Sequence, residues 1–428
     1  MRIQWIKKTN NILLPRNPFA QKSSLPDTMS LHFGSYTCEL QVKISKKLPD
    51  RTLGIPAQPF PFPIPVLPYE VQIKEDEIHI GPVIGILLPS LKKYPYFACH
   101  VKKYPQLKGL IYVFTLRNVK TKTRTIQGSY FNPKARDEKE VWCSTRLPFP
   151  DAMYRRMFCK KIPTELANHV SGKVFNSRTF SKWILWKWLS QTLREHLPET
   201  KKLVDIQSFQ GMIDKYGSVF LKPNISRRAV GLFLVKKKGE KYHFIDRDQQ
   251  KTILTQEGIY QLLEKLQTMD YMIQQDVLPD RKDFSTDFRV IMQKGKRKQW
   301  TCVGILARIG EKGSITTNFR EKGQLRKGAV ALKKMFSASN QEIKVMEEEI
   351  KEVCKQACQV IDEHGLFGDV GLDIAVDSEK RIWLLEINKY HDLYMPLYIK
   401  NNRQMFDQVM TNPLEYAKSL AGFTIEKK

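Results

Sequence analysis

Within the stretch GLDIAVDSEKRIWLLEIN (371–388), Asp373, Glu386 and Asn388 have the types and spacing to hold a cation. Their neighbours Ile374, Val376, Trp383 and Leu385 are residues that a buried sheet favours. The polar break at 377–381 predicts two antiparallel strands joined by a short turn. A pairing centred on Glu379–Lys380 sets position 373 opposite position 386. Glu386 and Asn388 lie two apart and share one strand face. Two carboxylates and an amide oxygen form a hard ligand set. Mg²⁺ takes such a set and fills its shell with water and phosphate oxygens. The plainer alternative is a solvated strand face. The apolar density around the three groups weighs against it, because a buried charge needs a partner.

A cation with so few protein ligands calls for phosphates, and phosphates call for basic side chains. Lys222 ends the strand-like SVFLKP and precedes NISRRAVG, a turn leading to Gly231. A strand–turn–strand with a leading lysine can fold over a polyphosphate through backbone N–H groups and the lysine charge. It is not a P-loop, since GxxxxGK[ST] is absent. The alternative for Lys222 is an ordinary surface lysine. Arg289 (DFRVIM) and Arg308 (LARI) sit in apolar strands and each needs an anion there; a structural salt bridge is the alternative to a substrate. Lys182 opens a Trp-rich helix, where snorkelling is the alternative.

The chain has 428 residues, 42% of them hydrophobic, and a formal net charge of +27. That length predicts two or three domains. The charge predicts an anionic partner: nucleotide phosphate, nucleic acid, an acidic polymer or an anionic envelope. Its basic residues are scattered and no DNA- or RNA-binding signature occurs, so no specific nucleic-acid groove is expected. The seven cysteines form no CxxC pair. Cys354 and Cys358 share a helix face and are expected in a core. This usage fits a reducing, cytoplasmic compartment. Neither a signal-peptide core nor an apolar run long enough to span a membrane is present.

The elements that must position these residues follow from periodicity. Residues 1–70 are expected to form a small β-rich unit with strands within 31–45. It ends in GIPAQPFPFPIPVLP (54–68), whose prolines exclude helix and central strand and predict an extended connector. From residue 78 the pattern is α/β: apolar runs at 78–89 and 110–116, then a strand leading into a loop across 140–157. A helix is expected within 177–200 and another at 205–216. Strands follow at 218–223 and 230–235, a helix at 256–269, and strands at 271–277, 287–293 and 300–309. A long amphipathic helix at 341–365 precedes the hairpin. Strand pairs interleaved with single helices predict α+β layers around a cleft.

Taken in order, Lys182, VFLKPN, SxxxxG, MIQQDV, DFRV, ARI, TTN, LDIAVD and LLEIN resemble the ATP-grasp fold of carboxylate–amine and carboxylate–thiol ligases. GPVIGILL, LPFPDAMYRRM, FNSRTFSKW, LPET, GSITTN and WLLEIN more closely resemble the bacterial YheC/YheD family of endospore coat-associated proteins. The resemblance implies an α+β ATP-grasp fold, two subdomains clasping nucleotide, at 171–428. An α/β pre-ATP-grasp domain at 71–170 and the β-rich unit at 1–70 would precede it. ATP and Mg²⁺ are the implied cofactors. Lys182 and Lys222 would hold ATP phosphates beneath a loop that keeps Ser226. Gln275, Asp276 and Val277 would form the hinge against adenine, with Asp287 near the ribose. Arg289 and Arg308 would face the transferring phosphoryl group, and Asp373, Glu386 and Asn388 would bind the metal. The covering loop departs from the family's glycine-rich pattern: PNISRRAV (223–230) has no glycine, and Arg227 and Arg228 stand in it. The implied function is a carboxylate–amine ligase with unidentified carboxylate and amine substrates, working through an acyl phosphate. It would be cytoplasmic or associated with anionic spore-coat or envelope material. The alternative is a non-catalytic coat protein that retains nucleotide binding.

Overall fold

A computed structural model describes residues 2–7, 9–15, 26–93, 107–132, 141–158, 161–226, 229–278, 284–317 and 323–423. The chain divides into two compact units. One comprises Met1–Thr179, Lys294–Gln299 and Met410–Lys428, and the other Phe180–Gln293 and Trp300–Val409.

The first unit holds two sheets. One runs in the order Arg2–Ile6, Thr52–Pro56, Ile12–Leu14, Tyr36–Ile44, Thr28–Phe33, Glu77–Gly81, Glu70–Lys74, and so continues past residue 70. The proline-rich stretch corrects one expectation. Its first residues belong to strand Thr52–Pro56, which pairs on both sides, parallel to Arg2–Ile6 and antiparallel to Ile12–Leu14. Pro56 is tolerated because it is the strand's last residue, where a missing N–H does least harm. Gly54 admits the neighbours: a Cβ there would lie 2.5 Å from Ile6 Cδ1. Residues 57–69 have no helix or strand, as the prolines require, but Phe60, Phe62, Leu67 and Tyr69 are buried in the core. The connector is therefore packed against the sheet.

The second sheet runs Val119–Lys120, Thr125–Phe131, Leu110–Phe114, Val83–Leu87, Ala152–Arg155, Val174–Phe175, with Trp142–Pro148 also on Thr125–Phe131. Val83–Leu87 pairs in parallel with Leu110–Phe114 and Ala152–Arg155, and all three strands are buried throughout. Parallel strands covered on both faces read as unbroken apolar runs, which is how 83–87 and 110–114 read in the sequence. Pro82 divides the 78–89 run between the two sheets, because it cannot donate to a ladder.

Asp151 caps this sheet by accepting a hydrogen bond from the Val83 N–H at 2.8 Å. Burial raises its carboxyl pKa to about 7, against the lowering effects of that bond and of Lys173. A carboxyl raised in the folded state loses stability as pH climbs from the unfolded value, near 4, to the folded one. Asp151→Asn keeps an acceptor and removes the charge. The variant should therefore match wild type near pH 4 and gain on it up to about pH 7, reaching a few kcal/mol. Thermal melts across that range check this; parallel curves for the two proteins would refute it.

The second unit also holds two sheets. The antiparallel six-stranded one runs Thr200–Lys202, Tyr271–Gln275, Ser218–Pro223, Phe233–Lys238, Lys241–Asp246, Lys251–Leu254. Helices Ile206–Tyr216 and Gln256–Gln267 share its core. The five-stranded one runs Gln324–Lys327, Trp300–Lys312, Phe284–Lys294, Asp369–Val376, Ile382–Asn388. Its core includes helices Lys182–Leu189, Gly328–Phe336 and Asn340–Asp362. Asn340–Asp362 starts at a capping box between Ser339 and Glu342 and buries Cys354 and Cys358 fully, as their spacing predicts. The Trp-rich helix is shorter than expected. It ends at Leu189, and only a 3-10 turn, Arg194–His196, follows before Pro198.

Candidate functional site

The hairpin positions its polar groups by an irregularity. Beside the turn the pairs are Val376 with Ile382, Ala375 with Trp383 and Ile374 with Leu384, so the turn centres on Glu379 rather than between Glu379 and Lys380. Leu385 then falls out of register as a bulge, and beyond it Asp373 faces Glu386 while Gly371 faces Asn388. The register expected at the site holds, although the register beside the turn does not. A one-residue slip exchanges strand faces. Without the bulge Glu386 would point with Leu372 and Ile374 into the core. With it, Asp373, Glu386 and Asn388 share the opposite face, and Leu384 and Ile387 both remain in the core.

Next to the hairpin lies strand Phe284–Lys294, with Arg289 directly beside Asp373. Arg289 donates from Nε to Asp373 Oδ1 at 2.6 Å and from Nη2 to Oδ2 at 3.2 Å. Gly371 makes room for this: a Cβ there would lie 2.7 Å from Arg289 Cδ and 2.9 Å from His391 Cβ. Arg308 donates two bonds to Asp287, each at 2.6 Å, and its Nη2 also stands 3.1 Å from Asp373 Oδ2. The Thr317 hydroxyl donates to Asp287 at 2.6 Å, and the Asn388 amide to Asp373 at 3.1 Å. Asp287, Arg289 and Asp373 are each under a tenth exposed.

Two arginines and two aspartates thus form a buried, charge-balanced network. Burial pushes the Asp373 carboxyl up, but Arg289 and Arg308 together outweigh it and hold the pKa below the ordinary value. For Asp287 burial wins over Arg308, helped by repulsion from Asp373, and its pKa is raised. Burial lowers the Arg308 pKa, yet the two aspartates more than compensate and the guanidinium stays charged. Asp287, expected near a ribose, has both oxygens engaged by Arg308 and Thr317.

The remaining expected residues form a second group and a third. Lys182 Nζ reaches Glu386 Oε1 at 3.5 Å, Ser226 Oγ at 3.2 Å and the Ser226 carbonyl at 3.3 Å. Asn224 docks this helix start, accepting from Trp183 N at 3.0 Å and donating to Asp270 at 2.7 Å. Asn224 was visible in the sequence only as the end of VFLKPN. Lys222 is separate: its ammonium donates to Gln274 and lies 5.1 Å from the Phe220 ring centre. In the expected hinge, the Gln275 N–H donates to Glu199 O at 2.8 Å and the Asp276 N–H to Ser218 O at 3.3 Å. The Asp276 carboxylate accepts from Ser218 and Leu278, and Val277 packs with Ala375 and Trp383. A cavity of about 680 Å³ is lined by Gln275, Glu199, Tyr216, Arg381 and Trp383 among others. In the expected covering turn, Ala229 has φ 55° and Gly231 φ 73°. Arg227 and Arg228 lie outside the described residues.

Comparison with known proteins relates the chain to a family. The chain is 23% identical over 348 residues to the endospore coat-associated protein YheD of Bacillus subtilis (strain 168), covering 74% of each. To YheC of the same organism it is 24% identical over 345 residues, covering 76% of this chain and 92% of that protein. Among solved structures, the ATP-grasp ligase PsnB, complexed with minimal precursor, Mg and ADP, has a TM-score of 0.47 at 11% identity, covering 80% of this chain and 97% of that one. D-alanyl-alanine synthetase A from Vibrio cholerae has a TM-score of 0.45 at 13% identity, covering 77% and 98%. Residues 171–420 match the family described as YheC/D like ATP-grasp. The chain has the ATP-grasp fold and belongs to the YheC/D-like ATP-grasp family.

Proposed function

We propose that the protein is an ATP- and Mg²⁺-dependent carboxylate–amine ligase acting through an acyl phosphate. The observation that carries this is the buried network of Arg289, Arg308, Asp287 and Asp373 beside Glu386 and Asn388 on one sheet face. Structural ion pairs do not require a carboxylate and an amide to be turned out of the core by a bulge, the carboxylate toward Lys182.

The donor chemistry fits Mg²⁺. Asp373, Glu386 and Asn388 offer hard oxygens from adjacent positions, and these residues would hold the ion. When bound, Mg²⁺ supplies charge neutralisation for a transferring phosphoryl group. Charge balance sets a condition on binding. Asp373 is already matched by arginine and Glu386 by Lys182, so a cation is favoured when phosphates arrive with it. Lys182 and Ser226 hold the phosphate side. Lys222 can turn from Gln274 to a polyphosphate, exchanging a neutral acceptor for a charged one. An adenine edge against 275–277 would meet the Val277 backbone, since the N–H groups of Gln275 and Asp276 are engaged in the sheet. Asp287 positions Arg308, and Arg308 with Arg289 faces the charge that develops as the carboxylate attacks the γ-phosphorus and ADP leaves. An amine then displaces phosphate from the acyl phosphate, forming the C–N bond.

Two measurements test this. Hydroxylamine with ATP, Mg²⁺ and a pool of carboxylates should yield hydroxamate together with ADP. Mg²⁺ should bind at least about tenfold tighter with an ATP analogue than alone, and the analogue tighter with Mg²⁺ by the same factor. Reciprocal binding without hydroxamate or ADP release from any acceptor would leave the non-catalytic coat protein as the better description.

A further inference from the structure

In the first unit, outside the residues that match the family, His32, Glu77 and His79 bring three ligand atoms within 4.8 Å of one another. They lie on neighbouring strands of the first sheet. His32 is the parallel partner of His79, and Glu77 sits two residues before His79 on the same face. The alternate residues Leu31, Phe33, Ile78 and Ile80 fill the core, so the polar three stand on the outward face by strict alternation. The two imidazoles stack with centroids 4.5 Å apart and planes 11° apart. One Glu77 oxygen is 2.8 Å from His79 Nε2 and the other 3.8 Å from His32 Nε2.

We propose that His32, Glu77 and His79 form a binding site for a divalent transition metal of the zinc class. His32 Nε2 is shielded from solvent and has no hydrogen-bond partner, a state that a bound ion would explain. Its other nitrogen, Nδ1, is 3.1 Å from the Thr37 hydroxyl. With Nδ1–H donating to Thr37, Nε2 presents its lone pair toward Glu77, the arrangement by which an outer partner orients a metal-binding imidazole. Ligand atoms around a tetrahedral zinc stand ~3.4 Å apart, from Zn–N and Zn–O bonds of ~2.0–2.1 Å. The three ligand atoms lie within 4.8 Å of one another, and small side-chain rotations would bring them to that spacing; the 2.8 and 3.8 Å approaches run to different Glu77 oxygens, so the carboxylate reaches both imidazoles. Two imidazoles and one carboxylate select zinc, cobalt, nickel or copper over Mg²⁺, and leave a fourth position for water. The ion ties strand Thr28–Phe33 to strand Glu77–Gly81 and thereby stabilises the first sheet.

The experiment uses the full chain, stripped with chelator and titrated with Co²⁺ and Zn²⁺ alone. One equivalent of Co²⁺ should give visible absorption of a tetrahedral site, displaced by Zn²⁺ and unaffected by excess Mg²⁺. Zn²⁺ should also raise the melting temperature. His79→Gln and Glu77→Gln should weaken Co²⁺ binding at least about 100-fold and abolish the melting shift, with circular dichroism confirming that they fold. Thr37→Val keeps all three ligands and should weaken binding by roughly 10–100-fold, the scale for losing an outer-shell partner. Glu386→Gln should leave the cobalt signal intact. Absence of the absorption in wild type, its survival in His79→Gln, or its loss in Glu386→Gln would each overturn the proposal.

Discussion

Arg308→Met should both destabilise the second unit and stop phosphoryl transfer. Its guanidinium stands between Asp287 and Asp373, and the methionine keeps most of the apolar stem while removing the charge. Breaking a buried pair by deleting one partner costs about 3–5 kcal/mol, because the remaining charge stays buried without a counter-ion. Here two carboxylates lose a partner, and Asp287, already raised by burial, is the more exposed to the loss. The sign with pH follows. Carboxyls whose folded pKa is raised lose stability as pH rises past the unfolded value of about 4, so the defect should be large at pH 7 and shrink toward pH 4. Adding Asp287→Asn removes one stranded charge and should recover a large part of the melting temperature. Activity should not recover, since under the proposed mechanism an electrostatic stabiliser worth roughly 10²–10³ in rate is gone. A double variant that regains turnover with its stability would show that Arg308 is structural only.

Glu386→Gln should separate binding from chemistry. Glu386 is about a third exposed and its one ion pair among the described residues is the 3.5 Å contact with Lys182, so little folding energy rests on it. Glutamine keeps the shape and one acceptor oxygen while losing the charge that a divalent cation needs. The proposed adenine side, at 275–277, is built from other strands and should keep its affinity. Phosphoryl transfer should fall at least about a hundredfold, because cation stabilisation counts most where charge builds in the transition state. ADP release by wild type and variant, with nucleotide affinity measured alongside, checks it. Equal rates would remove Glu386 from the metal site.

The contrast between these two residues follows what each leaves behind. Arg308 is enclosed by aspartates, so its removal is felt by the fold before any substrate arrives. Glu386 faces solvent and Lys182, so its removal is felt when ligand binds. Lys222 falls between them, with Gln274 and the Phe220 face as resting partners.

Much of the architecture follows from local pattern, and local pattern is available in the chain order. The apolar runs at 110–116 and 218–223 hold strands Leu110–Phe114 and Ser218–Pro223, the periodic 341–365 stretch holds helix Asn340–Asp362, and the Asp–Glu–x–Asn hairpin forms with its site pair opposed. Turn chemistry and side-chain period act over a few residues, so they can be read without tertiary context. Strands Lys241–Asp246, Lys251–Leu254 and Gln324–Lys327 are short and largely polar or partly exposed, and local pattern does not mark them. Helix Arg403–Leu420 holds Pro413, which in sequence argues against a helix.

What tertiary structure alone decided is the pairing of charge. The sequence by itself marks Asp287, Arg289, Arg308, Asp373 and Glu386 as ionisable groups in apolar strands that need partners. It does not say that Arg308 takes Asp287, that Arg289 takes Asp373, or that Lys182 meets Glu386 across 204 positions of chain. Those choices come from sheet order, which sets Phe284–Lys294 between Trp300–Lys312 and Asp369–Val376, and from one bulge at Leu385. Each is a long-range consequence of which strands bury together. His32 and His79 follow the same rule: they lie far apart along the chain and become neighbours because their two strands pair in parallel with these residues in register.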